Sequence, residues 1–269
     1  MDFKVGFIGA GNMGSALADA VIEKHSPKLI FIADKDEKKA EEFAKASGCN
    51  TGTAVSIARN CKYIFLGVKP QMMDNLGTEI ASALKSRRDR FILVTMAAGL
   101  TSETVMNMCG GKYPIIRIMP NTPVKVGEGM VLVSPGEYVT EEETKEFMSL
   151  LENAGKLDIL NEELIDAGCS LSGCGPAFVF MFIDALAKAG EKHGLSHEQA
   201  LLYAKQTVLG SAKLAISSEE TPEVLKKRVC SPGGSTIEGV RSFEADGLER
   251  IVEKALSASY KRNLELKNV

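Results

Sequence analysis

From residue 4 to about residue 160 the chain alternates short β-branched or aromatic runs with helical patterns, and beyond residue 160 the strand pattern stops. The strand candidates lie at 4–8, 29–33, 63–67, 91–95, 115–119, 130–134 and 156–159. Most are apolar almost without interruption, as in a sheet covered on both faces. Helical spacing fills the intervals at 12–24, 37–46, 72–84, 102–108 and 141–153, with Met13, Leu17 and Val21 at i, i+4 in the first. Strand, helix, strand repeated in this way predicts an α/β domain with a doubly wound parallel sheet over residues 1–160. Residues 161–269 are expected to be all-α, with helices at 176–192, 196–217, 222–229, 235–243 and 248–266. Ser196 and Gln199 predict a capping box at the second of these.

Within the helical half, Ala177-Phe178-Val179-Phe180-Met181-Phe182-Ile183 leaves no polar face for water. So apolar a helix in so small a segment needs other helices around it, and a second subunit is the expected source. Asp184 ends the run after seven residues, which reads as too short to span a bilayer. Lys and Arg total 32 against 35 Asp and Glu, a formal charge of -3. No basic footprint for nucleic acid or an anionic membrane is therefore present, and small-molecule chemistry leads. The six cysteines form no CxxC pair, which predicts reduced, mostly buried thiols rather than a disulfide framework or a metal site. The start of the chain lacks the layout of a signal peptide, so a cytoplasmic protein without nucleic-acid or membrane partners is expected.

Directly after the first strand stands Gly9-Ala10-Gly11-Asn12-Met13-Gly14, a G-x-G-x-x-G at the opening of the first helix. Gly9 permits the tight turn, Gly11 lets the backbone approach a pyrophosphate, and Gly14 lets helix and strand pack closely. The second strand ends at Asp34, twenty residues after Gly14, where a carboxylate can accept from a ribose 2′-hydroxyl. Asp34 argues for NAD, because a 2′-phosphate would meet a like charge. Lys35, Lys38 and Lys39 follow at once and offer that phosphate a counter-charge, so either cofactor remains open. Two more loops follow strands whose carboxyl ends share this crevice: Gly67-Val68-Lys69-Pro70-Gln71 and Thr95-Met96-Ala97-Ala98-Gly99. Their small residues would admit the nicotinamide half of the cofactor.

Acid–base groups are scarce. None of His25, His193 and His197 falls at a strand's carboxyl end, and Gly194 and Ser196 break the helix between the last two, so no metal is expected. An alcohol dehydrogenase would need a base, which favours a substrate reduced without one. The other dense motif is Cys230-Ser231-Pro232-Gly233-Gly234-Ser235-Thr236-Ile237-Glu238. Ser235 and Glu238 predict a capping box there. The amides of Gly234, Ser235 and Thr236 are also placed to bind a carboxylate, as helix starts do.

Taken together these motifs resemble the pyrroline-5-carboxylate reductase family over essentially the whole chain. The resemblance rests on residues 7–14, Val68-Lys69-Pro70-Gln71 and Ala97-Ala98-Gly99. It rests also on Arg117-Ile118-Met119-Pro120-Asn121-Thr122-Pro123, Leu171-Ser172-Gly173-Cys174-Gly175-Pro176-Ala177-Phe178 and Ser231-Pro232-Gly233-Gly234-Ser235-Thr236-Ile237. It implies NAD(P)H-dependent reduction of the ring imine of 1-pyrroline-5-carboxylate to L-proline, by a Rossmann domain followed by a helical substrate-binding domain that interlocks with its twin. By the same resemblance Ser231, Gly234 and Ser235 hold the carboxylate and Thr236 hydrogen-bonds the ring nitrogen. Ile8, Gly9, Ala10, Gly11, Asn12, Met13, Asp34, Lys35, Val68, Lys69, Pro70, Met96, Ala97 and Ala98 then contact the cofactor, NADPH or NADH. Cys174 stands where the family usually has a serine or another small residue, and Asp34 with Lys35 where many members are uncharged.

Such chemistry agrees with the residues, because a protonated imine accepts hydride without a strong general acid and needs mainly orientation. Two other readings stay in view. A β-hydroxyacid dehydrogenase would carry a lysine in its second domain, but Val179 falls at that position here. A non-catalytic NAD(P)-binding regulator would leave the turn at 231–236 unexplained.

Overall fold

The computed structural model describes residues 3–266. β1 (Val5–Ile8), α1 (Asn12–Ile22), β2 (Ile30–Ala33), α2 (Glu37–Ser47), β3 (Asn50–Thr51) and α3 (Ala54–Asn60) open the fold. β4 (Tyr63–Leu66), α4 (Met73–Lys85), β5 (Ile92–Thr95), α5 (Ser102–Met108) and β6 (Ile115–Met119) continue it, and β7 (Gly129–Pro135), α6 (Glu141–Leu150) and β8 (Gly155–Ile159) complete the sheet. Among the described residues this is an eight-stranded sheet in the order β3-β2-β1-β4-β5-β6-β7-β8.

Pairing is parallel except between β6 and β7, where it is antiparallel. The sheet is thus mixed, not wholly parallel as the strand–helix rhythm implied. Residues 120–128 alone join those two strands. A parallel crossover needs about a dozen residues or more, so so short a link can only turn back. β3 and α3 were not legible as periodic segments. β3 has two residues paired with Phe31 and Ile32, and α3 is a seven-residue helix held by a capping box between Thr53 and Ser56.

Successive strand residues supply opposite faces of the sheet. Val5, Phe7, Tyr63 and Phe65 join Leu17 and Val21 of α1 and Phe147 of α6 in one core, while Ile8, Ile64 and Leu66 join Ile57, Leu76 and Ile80 in the other. Phe7 and Phe65 stack with centroids 4.3 Å apart. Burying each such ring contributes about 1.5–3 kcal/mol. All six cysteines are free thiols, four of them buried. Burial pushes the Cys61 thiol up to about 12 and that of Cys109 up to about 11.

After the sheet come α7 (Ile165–Gly168), a π-helical turn (Cys169–Gly173), α8 (Gly175–Lys192), α9 (His197–Ser217), α10 (Pro222–Val229), α11 (Ser235–Ala245) and α12 (Leu248–Leu266). The chain divides into two units: one ends at Cys174 and regains the residues from Ser259 on, and the other is Gly175–Ala258. This division differs from the one expected at 160/161. Residues 161–174 pack on the sheet, since Ile165 and Cys169 share a core with Met119 and Leu132. Buried Arg117 of β6 also pairs with Glu162 at 3.2 Å and Asp166 at 3.6 Å.

In the helical unit the Ser196 capping box forms as expected. Its buried cluster is only Ala187, Ala200 and Ala204, with α8 packed on α9. Phe180 and Met181 stand 63% and 70% exposed in the single chain. By length and composition, the helical run Glu162–Lys192 is long and apolar enough to cross a membrane, which corrects the reading from the seven-residue stretch alone.

Candidate active site

The parallel register brings Ile8 level with Ala33 of β2 and Leu66 of β4, and Leu66 level with Thr95 of β5. The loops that follow, at 9–11, 34–36, 67–72 and 96–99, therefore leave the sheet along one edge. Open α/β sheets bind ligands at that edge.

Gly9 has φ +119, and a Cβ there would collide with the carbonyl of Gly67. A Cβ on Gly14 would strike the carbonyl oxygen of Gly9. Gly11, by contrast, has nothing within 4 Å of such a Cβ, so its outer side is open. α1 begins on Gly11 with no side-chain cap and no acidic residue in its first turn. Open space in front of uncapped amides fits a pyrophosphate. Ile8 and Ala97 are buried in the second core and offer this edge only their backbone. Asn12, Lys35 and Lys69 are exposed, and Ala10, Met13, Val68, Pro70, Met96 and Ala98 are half-buried around the loops.

Asp34 does more than sequence reasoning assigned it. Its Oδ2 accepts from the Ala10 amide at 2.7 Å and its Oδ1 from the Asp36 amide at 2.9 Å. The carboxylate thus ties the glycine loop to the end of β2. A backbone amide two residues from a carboxylate is a local turn habit, but the bond to Ala10 crosses two strands and has no sequence signal.

In the helical unit, Gly233 has φ +71 and the Gly234 amide donates to the Ser231 carbonyl at 3.0 Å. α11 starts on Gly234 with no side-chain cap. The expected Ser235–Glu238 capping box is absent: Ser235 is already the first helical residue, and Glu238 instead pairs with Arg241 at 2.7 Å. Without that box the first amides of α11 keep their donors, but the Gly234 amide, one of the three expected to bind a carboxylate, is already given to the Ser231 carbonyl. Ser231, Ser235 and Thr236 are exposed and Gly234 is half-buried. His197 Nδ1 lies 2.6 Å from Glu191, and no group of residues suited to a metal occurs among the described residues.

A cavity of about 570 Å³ lies elsewhere, lined by Glu103, Met106, Asn107, Lys112, Glu137 and Tyr138. It contains none of the expected site residues. We place the site at the loop edge instead, because the register and the open glycine are there.

Fold and loops together define a Rossmann-type, dinucleotide-dependent oxidoreductase. A family model described as NADP oxidoreductase, coenzyme F420-dependent, matches residues 4–99, and one described as pyrroline-5-carboxylate reductase dimerisation matches residues 162–266. The chain is 36% identical over 269 residues to the pyrroline-5-carboxylate reductase of Escherichia coli K12, covering 99% of both. Its structure is similar to that of a pyrroline-5-carboxylate reductase from Coxiella burnetii, with a TM-score of 0.92 at 30% identity over 99% of each chain. A Plasmodium falciparum pyrroline carboxylate reductase with NADP bound gives a TM-score of 0.85 at 29% identity, over 99% of this chain and 98% of that one. The chain belongs to the pyrroline-5-carboxylate reductase family. A 3-hydroxyisobutyrate dehydrogenase of Mycobacterium tuberculosis matches at a TM-score of 0.51 and 14% identity, a likeness of fold alone.

Proposed function

We propose that this chain reduces the C=N bond of 1-pyrroline-5-carboxylate to L-proline with NADPH or NADH, the last step of proline biosynthesis. The observation that carries the reading is the uncapped start of α11 behind Gly233 and Gly234, in a chain of this family whose candidate site holds no histidine base. The cofactor supplies a hydride. The sheet unit grips it through the Gly9–Met13 loop, Asp34, Lys35 and the loops carrying Val68, Lys69, Pro70, Met96, Ala97 and Ala98. In the helical unit, Ser231, Gly234 and Ser235 hold the substrate's carboxylate. The Thr236 hydroxyl hydrogen-bonds the ring nitrogen and so orients the electrophilic carbon. Orientation is the main task, since a protonated imine needs no strong acid.

The match of residues 162–266 to a model described as pyrroline-5-carboxylate reductase dimerisation supports a homo-oligomer. The dimer is the basic unit in this reading, with its helices completing each other's core and higher assembly built from dimers. Six free thiols support a reducing, cytoplasmic location.

Steady-state oxidation of NAD(P)H is the test. Turnover is expected with 1-pyrroline-5-carboxylate and not with 2-keto or 3-hydroxy acids. Equal or greater turnover of a hydroxy acid with NAD(P)⁺ would overturn the reading, and so would binding of cofactor without any reduction of the imine.

A further inference from the structure

The loop at 96–99 carries three of the expected cofactor contacts, Met96, Ala97 and Ala98, whose side chains pack against three separate cores. Ala97 is buried, and the Leu100 amide donates back to the Ala97 carbonyl at 3.4 Å, a long bond. Gly99 takes φ +79. What stands behind the loop comes from the far end of the chain. A Cβ on Gly99 would lie 2.7 Å from the carbonyl oxygen of Leu266 and 2.9 Å from its carbonyl carbon, so the last turn of α12 sits directly against this glycine.

That turn is itself anchored. Asn263 Nδ2 donates to the Asp166 carbonyl at 3.1 Å. Cys169 and Ile165 belong to the small core on which Ala98 packs. Residues from Ser259 on are accordingly part of the sheet unit although the rest of α12 is not. The loop, α7 and the last turn of α12 form one packed corner at the edge where the loops following β1, β2, β4 and β5 emerge.

We propose that the last turn of α12, through Asn263 and Leu266, is a positioning element for the 96–99 loop and thereby for the nicotinamide half of the cofactor. The proposal rests on the reductase reading, in which that loop meets the nicotinamide. Hydride transfer depends on sub-ångström placement of the reacting atoms, so loosening the loop lowers kcat. The adenosine and pyrophosphate half is held by the glycine loop and Asp34, on different strands, and its affinity should not follow.

The experiment compares chains ending at Arg262 and at Leu266 with the full chain, measuring kcat, KM and the Kd of ADP-ribose, a probe lacking nicotinamide. Ending at Arg262 should lower kcat by about tenfold or more, with ADP-ribose affinity within about twofold. Ending at Leu266 should change neither.

Unchanged kcat on shortening, or ADP-ribose affinity falling in step with kcat, would each overturn the proposal. If the shortened chain does not fold, Asn263→Ala in the full chain decides: kcat reduced severalfold with ADP-ribose binding intact supports the role, and unchanged kcat overturns it. A wild-type chain that leaves pyrroline-5-carboxylate unreduced overturns the reductase reading itself, and the positioning role with it.

Discussion

The two units of this chain solve the burial problem in opposite ways. The sheet unit encloses two apolar cores, with Phe7, Tyr63, Phe65, Phe147, Ile64 and Leu66 essentially inaccessible to water. The helical unit buries three alanines and leaves Val179, Phe180, Met181, Leu202, Leu209 and Ile216 exposed in the single chain. α10, α11 and α12 bury no residue at all within one chain. A unit that completes its core alone can keep a binding edge rigid. In the proposed assembly the helical unit would complete its core with a second copy.

The largest expected effect tests the self-sufficient half. Phe65→Ala should cost about 3–5 kcal/mol, read as a fall in the denaturant midpoint, because Phe7 and Phe147 cannot close the cavity. A loss below about 1 kcal/mol would mean that the sheet's core is far looser than its packing.

Next, Phe180→Glu places a charge on the most apolar face of α8. In a lone chain that exposed position should tolerate it. In the assembled protein we expect loss of the oligomer on light scattering, through a penalty of about 2 kcal/mol or more per interface. An unchanged oligomer would show that α8 faces water and would erase the contrast between the units.

Thr236→Ala should lower kcat/KM about 2-fold to 150-fold, corresponding to about 0.5–3 kcal/mol for one hydrogen bond to a neutral or charged nitrogen. Cofactor affinity and helical content should stay put, and Thr236→Ser should keep most of the rate. Wild-type kcat/KM in the alanine variant would reduce Thr236 to a helix start.

The smallest effect belongs to Asp34. Asp34→Ser removes a charge that opposes a 2′-phosphate, and it also loosens the tie to the Ala10 amide. Affinity for both cofactors should fall, with the NADPH/NADH ratio of kcat/KM moving toward NADPH by more than about twofold, or ~0.4 kcal/mol. A ratio within that bound would show that Asp34 holds the loop without facing the ribose.

Much of this protein was determined by the sequence alone. Strand and helix periods, the spacing of Gly9, Gly11 and Gly14, and the acidic end of β2 are local facts, and each needs only the geometry of one strand–turn–helix to be read. Packing over distance is not local, and there the tertiary structure decided. It turned β7 antiparallel, tied Asp34 to Ala10, and left α11 uncapped where a serine and a glutamate had the right spacing. It also drew residues 161–174 onto the sheet and brought Leu266 against Gly99, separated by more than half the chain. Such contacts are chosen by which apolar faces and polar atoms remain to be satisfied once the elements have formed. No window of neighbouring residues contains that information.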